Sequence, residues 1–166
     1  MNILNPFKIN SIILPNRITV ASMCQYSAKN GNPNNWHYGH LQQLANSGAG
    51  MLMFESTAIN LNGRITLKDL ALSNTKNEIS FRQIINYLKT ISKIPLGLQI
   101  SHSGRKGSAQ VPWIKSNYPL KKKQNCWTTY APSSIKRDLH WPTPKTLSVS
   151  QIKKIVSDFK NCAKRA

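Results

Sequence analysis

The chain has 166 residues, which suits one domain of ordinary size, and 40% of them are apolar, which is enough to build a core. Its 23 basic residues against 5 acidic ones give a net charge of +18. No basic stretch leads into a long apolar run, so neither a signal peptide nor a membrane span is predicted. The three cysteines are an odd number without a CxxC pair. This argues against a disulfide framework or a structural zinc site and favours a reducing, cytoplasmic location.

The positive charge by itself would suit nucleic acid or another polyanion as partner. Residues 101–166 hold 14 of the basic residues, and the only tight run is Lys121, Lys122 and Lys123. A nucleic-acid-binding arm more often carries a dense basic block, or a basic helical stripe with aromatic residues between the charges. The distribution therefore favours a solvated basic surface, and a basic anion-binding protein is kept as an alternative.

The chain begins with a predicted hairpin, in which residues 4–9 and 12–14 are joined by Asn10 and Ser11. Three strand–helix pairs follow. The predicted strands are 17–23, 51–54 and 96–101, and the predicted helices are 36–47, 77–92 and one after Ser148. The first strand is β-branched and apolar without alternation, as in a strand buried on both faces. This order predicts an α/β fold with a parallel sheet, as a barrel or an open sheet.

The helices carry recognisable faces and boundaries. Gly48 is placed to end the first helix, and Ser148 with Gln151 forms a capping-box pattern for the last. The predicted buried faces are Trp36, His40, Leu41 and Leu44; Ile84, Ile85, Leu88 and Ile91; and Ile152, Ile155, Val156 and Phe159. Residues 61–72 are predicted as loop. The second loop, 103–145, holds five prolines, and a loop of that length usually carries function.

Polar residues follow each strand at the edge where parallel α/β folds bind ligands. They are Ser22 to Tyr26, Glu55 to Ala58, and Gln99 with His102 to Lys106. GxSxG elbows and Gly-rich phosphate loops are absent from the sequence, and Glu55 is the only carboxylate in these clusters, which disfavours paired-carboxylate chemistry. His37 and His40 are three apart on a helix, where packing is favoured over metal binding. The remaining thiol, phenol, amide and hydroxyl groups suit an organic cofactor.

Several segments, in the same order along essentially the whole chain, closely resemble the bacterial NADPH-dependent branch of the Old Yellow Enzyme family. They are Asn16-Arg17, Met23-Cys24-Gln25-Tyr26-Ser27, Trp36-His37 with His40-Leu41, Gly63-Arg64-Ile65, Gln99 with His102-Ser103-Gly104-Arg105-Lys106, Val111-Pro112-Trp113, Ala131-Pro132-Ser133, and Trp141-Pro142-Thr143-Pro144. The resemblance implies an FMN-binding TIM (β/α)8 barrel. Residues 1–166 would form its amino-terminal portion, about three βα units of one incomplete domain.

The resemblance also implies roles for individual residues. Cys24 would lie at the reactive edge of the flavin and tune its potential, and Tyr26 would point its hydroxyl at the substrate carbonyl. Ser22 and Met23 would supply backbone contacts to the ring, Ala58 would let the ring approach the backbone, and Gln99 would pair with the flavin pyrimidine. Ser22 stands where the family usually has proline, and this departure is expected to loosen that wall of the site slightly. His102 and the turn 104–106 are assigned no catalytic step.

The implied activity is transfer of a hydride from NADPH or NADH, through FMN, to a small electron acceptor such as an activated alkene. The family's substrate-binding histidine pair after strand four and its phosphate-binding loops after strands seven and eight have no counterpart in this sequence. We therefore expect a truncated chain that is inactive alone and whose partner is a fragment carrying strands four to eight; a non-functional gene remnant is a further alternative. Residues Ile18, Val20, Leu52, Phe54 and Leu98 are expected to face an unfilled, partly wet barrel interior.

Overall fold

The structure is a computed structural model and describes residues 2–166. It begins with the predicted hairpin, in which β1 (Phe7–Ile9) pairs antiparallel with β2 (Ile12–Leu14). Asn10 turns the chain with φ of 51°, a left-handed conformation that asparagine tolerates better than most residues. The apolar side chains of the hairpin are mostly exposed, and Ile13 is 66% exposed.

Three parallel strands follow in the spatial order β3-β4-β5, and each is succeeded by a helix, as predicted. The strands are β3 (Thr19–Val20), β4 (Met51–Ala58) and β5 (Leu96–Ser101). The helices are α1 (Asn35–Ala45), α2 (Thr75–Ile91), the single turn α3 (Pro112–Lys115) and α4 (Val149–Arg165). Within residues 2–166 this sheet has three strands and does not close on itself.

The first strand differs from its prediction. Only Thr19 and Val20 pair with β4, whereas residues 17–23 were predicted to form a strand buried on both faces. Ile18 is 40% exposed, and residues 21–28 leave the sheet as irregular backbone. The physical reason is position: β3 lies at the edge of this sheet, with a neighbour on one side only.

The two faces of the sheet have different environments. Val20, Leu52 and Leu96 share one face with the paired residues Phe54 and Leu98, and this face packs against apolar side chains of α1 and α2. Leu52 is fully buried and Phe54 is 3% exposed, so the expectation of a partly wet environment is wrong for these two residues, whereas Val20 and Leu98 are half-buried and Ile18 is 40% exposed. Side chains alternate along a strand, and the even-numbered positions lie on the helix side as far as Phe54, beyond which the register of β4 shifts.

The opposite side, which we call the open face, carries Thr19, Met51, Met53, Gly97 and Gln99. No described helix packs across it. A Cβ atom placed on Gly97 would lie 2.3 Å from the sulfur of Met53, so these two methionines already occupy the space above the glycine. The open face, rather than the helix side, is therefore the part of the sheet that lacks an opposing wall.

The buried stripes of the helices are narrower than predicted. His37, Leu41 and Ala45 form the buried stripe of α1, while Trp36 is 57% exposed. In α2 the buried residues include Phe81, Ile84 and Leu88, but Ile91 is exposed. In α4 only Cys162 is fully buried; Ile155 and Phe159 pack partly, and Ile152 and Val156 are exposed. A helix over a small sheet has few neighbours, so only part of its apolar face is covered.

The helix ends follow the sequence signals closely. Asn34, Asn74 and Ser148 are the N-caps of α1, α2 and α4. The capping box predicted at Ser148 and Gln151 is confirmed, since each side chain bonds the other's backbone N–H. Gly48, with φ of +79°, lies two residues beyond the C-cap of α1, a backbone region that glycine enters without steric cost.

The long segment 103–145 is folded rather than structureless. It contains 3-10 turns at Gly104–Lys106 and Lys122–Gln124, the helical turn α3, and β6 (Tyr130–Ala131). The last of these pairs in parallel with β7 (Lys145–Thr146). Trp141 anchors the segment and is 2% exposed. No helix in the described part of the chain is both long and apolar enough to cross a membrane.

Candidate functional site

The three predicted clusters meet at the carboxyl-terminal edge of the sheet. Residues 22–28 leave β3 there, and Ser22 Oγ donates a hydrogen bond of 2.9 Å to the carbonyl oxygen of Phe54. This bond ties the end of β3 to β4. A proline at position 22 could not make it, so the expected loosening is offset by a contact that only the serine provides.

A β-bulge lies at the centre of this edge. The register between β4 and β5 shifts between Phe54 and Thr57, so Glu55 and Ser56 together oppose Gln99. Gln99 is exposed on the open face and makes no side-chain hydrogen bond within residues 2–166. Its amide therefore has a free donor and a free acceptor. The Ser56 hydroxyl is 2.6 Å from that of Ser101, which closes the bulge on its far side.

Cys24 and Tyr26 lie close together, and burial and the carboxylates of Asp69 and Glu55 raise the pKa of both groups. Burial raises the pKa of the Cys24 thiol to about 11, and the carboxylates of Asp69 and Glu55 add to the shift; the Ser56 backbone and Lys106 oppose it. Burial also raises the pKa of Tyr26, and the neighbouring Cys24 thiol contributes to the same shift. Both groups are therefore protonated at neutral pH and can donate hydrogen bonds.

Tyr26 holds a strained backbone conformation. Its φ is 47°, in the left-handed region that residues with bulky side chains seldom enter. The ring lies edge-on to that of Trp113, with centroids 6.1 Å apart, so the long segment 103–145 reaches this site. Strained residues of this kind are concentrated at functional sites, where the surrounding structure enforces them.

Both carboxylate oxygens of Glu55 contact other residues of the chain. Its Oε2 accepts the backbone N–H of Gln25 at 3.0 Å, and its Oε1 lies 3.4 Å from Nε2 of His37. His37 is a residue of α1 and is 1% exposed, in line with the packing role predicted for it. His40 has a lowered pKa because of burial. Within residues 2–166 no three His, Cys, Asp or Glu side chains are grouped as metal ligands would be.

Asp69 is a site residue that sequence reasoning missed. It is 2% exposed, its Oδ2 accepts the N–H of Ile65 at 2.7 Å, and its Oδ1 accepts the Thr66 hydroxyl at 2.6 Å. Burial raises the pKa of this carboxyl. Residues 61–72 do not directly follow the strand-end motifs and are predicted from the sequence only as loop, so Asp69 is not recognised there. The spacing of Thr66 and Asp69, an acceptor three residues after a hydroxyl, is the signal that could have found it.

The remaining predicted positions are also located. Met23 is 54% exposed, and its backbone N–H donates no hydrogen bond within the described residues. Ala58 is 2% exposed, and its N–H and carbonyl already bond Leu70 and Leu72. His102 packs its ring against Gly63, Nδ1 accepts the N–H of Gly104, and burial lowers its pKa. These contacts are those of a residue with a packing role, and the sequence analysis assigned His102 and the turn 104–106 no catalytic step.

Comparison with known protein families and solved structures identifies the family and the fold of this chain. The profile of the NADH:flavin oxidoreductase / NADH oxidase family matches residues 2–166. The chain belongs to this family. It is 35% identical over 167 residues to an NADH:flavin oxidoreductase of Gibberella zeae, covering 99% of this chain and 40% of the relative. It is 34% identical to an NADPH dehydrogenase of Clostridium acetobutylicum, covering all of this chain and 44% of the relative.

Solved structures show the same fold. Morphinone reductase aligns with a TM-score of 0.81 at 20% identity, over 99% of this chain and 44% of that one. An old yellow enzyme homologue from Zymomonas mobilis aligns with a TM-score of 0.80 at 17% identity, over 100% and 45%. The fold is thus the amino-terminal portion of the flavin oxidoreductase barrel, and the resemblance read from the motifs is confirmed. The chain spans less than half the length of these relatives.

Proposed function

We propose that this chain forms the amino-terminal part of an FMN-dependent NAD(P)H oxidoreductase of the NADPH dehydrogenase or ene-reductase type. The observation that carries the proposal is the meeting of Cys24, the strained Tyr26 and the free amide of Gln99 at one edge of the sheet. The names of the relatives, which include NADH:flavin oxidoreductase and NADPH dehydrogenase, support the same activity.

The donor set at this edge fits a flavin. Gln99 offers one amide donor and one acceptor, which complement the alternating groups of the pyrimidine ring. Met23 offers a free backbone N–H beside Ser22, and Cys24 offers a neutral thiol. Ala58 supports the proposal least, because both of its backbone groups are already bonded to residues 70–72.

When bound, FMN would supply the redox chemistry, taking two electrons and a proton from the nicotinamide and passing them to the acceptor. The chain's own residues would orient the reactants. The Cys24 thiol, kept protonated by burial and by Asp69 and Glu55, would donate a hydrogen bond at the reactive edge. The Tyr26 hydroxyl, also protonated, would donate to the carbonyl oxygen of the acceptor and so polarise the double bond to be reduced.

The rest of the barrel is needed for this activity, whether it continues the same polypeptide or comes as a complementary fragment carrying strands four to eight. The relatives are more than twice as long as the matched part, and the open face has no opposing wall among residues 2–166. The acceptor is a small molecule, and the three free thiols support a reducing, cytoplasmic setting.

The test is reconstitution. The chain is expressed alone and together with the remaining part of the Clostridium acetobutylicum NADPH dehydrogenase, and flavin absorbance is measured after gel filtration. We expect bound FMN, and oxidation of NADPH, only in the combined protein. In that protein Tyr26→Phe should lower kcat about hundredfold without loss of FMN, and Gln99→Glu should weaken FMN retention because a carboxylate cannot donate.

Cys126→Ser serves as the control, because Cys126 is an exposed thiol to which no role in the site is assigned. A combined protein that folds but retains no FMN would contradict the proposed function. FMN binding and NADPH oxidation by the 166-residue chain alone would instead contradict the requirement for the rest of the barrel.

A further inference from the structure

Residues 22–28 carry the site yet belong to no helix or strand. Their shape is set by side-chain hydrogen bonds. Gln25, which lies between Cys24 and Tyr26, has every polar group engaged. Its N–H donates to Glu55, its Nε2 donates to the Met23 carbonyl, its carbonyl accepts the Ser27 hydroxyl, and its Oε1 lies 3.4 Å from Nε1 of Trp36.

The hydrogen bond from the Gln25 N–H to Glu55 differs from the others because its acceptor is a buried side chain. The side chain of Glu55 is 5% exposed, and the carboxylate reaches the Gln25 N–H from the bulge of β4, thirty residues away in sequence. The remaining bonds of Gln25 join it to residues within the same segment or to the exposed Trp36. Glu55 is therefore the contact that fixes Gln25 to the sheet.

The carboxylate is itself held in place by His37. Nδ1 of His37 lies 3.1 Å from both the backbone nitrogen and the Oδ1 of Asn34, and Nε2 faces Glu55 Oε1 at 3.4 Å. Nε2 makes no hydrogen bond in this geometry, so the buried imidazole confines the carboxylate by close contact. Asn34 is the N-cap of α1, so the first turn of that helix orients the histidine and the histidine orients the carboxylate.

We propose that Glu55, oriented by His37, is the positioning residue of this site: its buried carboxylate fixes the backbone of Gln25 and thereby holds Cys24 and Tyr26 in place. This inference deepens the proposed function and rests on it for its catalytic meaning. The structural part of the claim concerns the chain alone. Unlike the flavin contacts, it can be measured without cofactor.

The charge of Glu55 gives a second, distinguishable effect. The groups facing Cys24 are Glu55 from β4, Asp69 from the loop before α2, Lys106 after β5, and the Tyr26 hydroxyl. Asp69 and, after it, Glu55 contribute to the raised pKa of both Cys24 and Tyr26. Removing only the charge of Glu55 should therefore shift the titration of Cys24 to lower pH, whereas removing its side chain should also release the Gln25 N–H.

The experiment compares Glu55→Ala, Glu55→Gln and His37→Ala in the full chain by hydrogen exchange of single amides. In Glu55→Ala we expect the Gln25 amide to exchange about tenfold faster or more, while the amides of Leu52 and Leu88 change little. His37→Ala should also accelerate Gln25. The double variant should be no faster than Glu55→Ala, because the two residues act through one contact. In Glu55→Gln, alkylation of Cys24 should reach half its maximal rate at lower pH than in the parent chain.

Two variants serve as matched controls. Glu78→Gln removes a carboxylate from an exposed ion pair with Arg82, and Trp36→Phe removes the outer contact to Gln25 while keeping an aromatic ring. Both should leave Gln25 exchange and the Cys24 profile nearly unchanged. Equal acceleration of all amides in Glu55→Ala, or an unchanged Cys24 profile in Glu55→Gln, would overturn the proposal. Failure of the combined protein to bind FMN would leave these readouts unaffected.

Discussion

Cys24 shows how a single residue is tuned by its surroundings. Although the chain carries a large positive charge, the pKa of this thiol is raised mainly by burial and then by the carboxylates of Asp69 and Glu55. Lys106 opposes them weakly. The local environment therefore keeps the thiol neutral, which makes Cys24 a hydrogen-bond donor and a poor nucleophile.

The first prediction concerns this residue. With a pKa of about 11 and partial burial, Cys24 should be alkylated by iodoacetamide at pH 8 well after the exposed Cys126, and its rate should rise until about pH 11. Mass spectrometry of peptides from timed samples gives both rates. The pKa is raised above the ordinary thiol value of 9.0, so the folded state disfavours the thiolate. Stability should therefore fall as pH rises from about 9 to 11. Faster alkylation of Cys24 than of Cys126 at pH 8 would contradict this prediction.

Among the secondary-structure elements, helix α4 derives its stability more from the capping of its ends than from tertiary packing. Only Cys162 is fully buried in this helix, and several of its apolar residues are exposed. Tertiary contacts normally supply most of a helix's stability, so a helix with few of them relies on capping and on pairs such as Lys154 with Asp158. Asp158 also accepts a hydrogen bond of 3.0 Å from Asn60, which fastens the helix to the segment after β4.

The second prediction follows from this dependence. Ser148→Ala removes the acceptor for the Gln151 N–H and should lower the free energy of unfolding by about 1 kcal/mol. The matched control is Ser80→Ala, because the Ser80 hydroxyl bonds only the Lys76 carbonyl within the same helix. Urea unfolding of the combined protein measures the difference, and hydrogen exchange at Gln151 localises it. A loss in Ser80→Ala as large as that in Ser148→Ala would argue against the capping box as the cause.

For the whole molecule, the sheet has one packed face and one open face. The packed face builds a core from Leu52, Phe54, Ile84 and Leu88. The open face leaves Met51 and Met53 half-buried, and β5 has an unpaired edge within the described part of the chain. Open edges and exposed apolar faces promote association, so the 166-residue chain alone should be marginally stable or aggregate.

The third prediction compares neighbouring residues on the two faces. Phe54→Ala should lower the free energy of unfolding by about 3 kcal/mol or more, because it opens a cavity in the core. Met53→Ala, one residue away on the open face, should instead reduce aggregation of the 166-residue chain, because it removes part of the apolar surface of that face. Urea unfolding of the combined protein measures the first effect, and light scattering of the 166-residue chain measures the second. Unchanged light scattering in Met53→Ala would mean that the open face is packed in solution.

The same chain without its complement should also show no sharp thermal transition. A cooperative unfolding transition of a monomer, with protected amides in β3, β4 and β5 alike, would contradict this expectation. Recovery of a cooperative transition on co-expression with the rest of the barrel would support the view that the open face is the surface the remaining strands enclose.

The sequence alone determined the order of elements and the family. The periodicity of apolar residues, the helix-capping residues and the turn residues are local signals. For this reason the hairpin at Asn10, strand 96–101 and the capping box at Ser148 were predicted correctly. The motif around Cys24 identified the family because its segments occur in order along the chain. Such features depend on near neighbours and need no knowledge of the fold.

Only the tertiary structure decided which face of each element is buried and what holds the site. Apolar residues lie on both sides of β4, and position in the sheet, not composition, sends Leu52 to the core and Met53 to the open face. The contacts of Glu55 with Gln25 and His37 join residues 18 to 30 positions apart. No local pattern encodes such contacts, because they form only when a strand, a helix and an irregular segment are brought together.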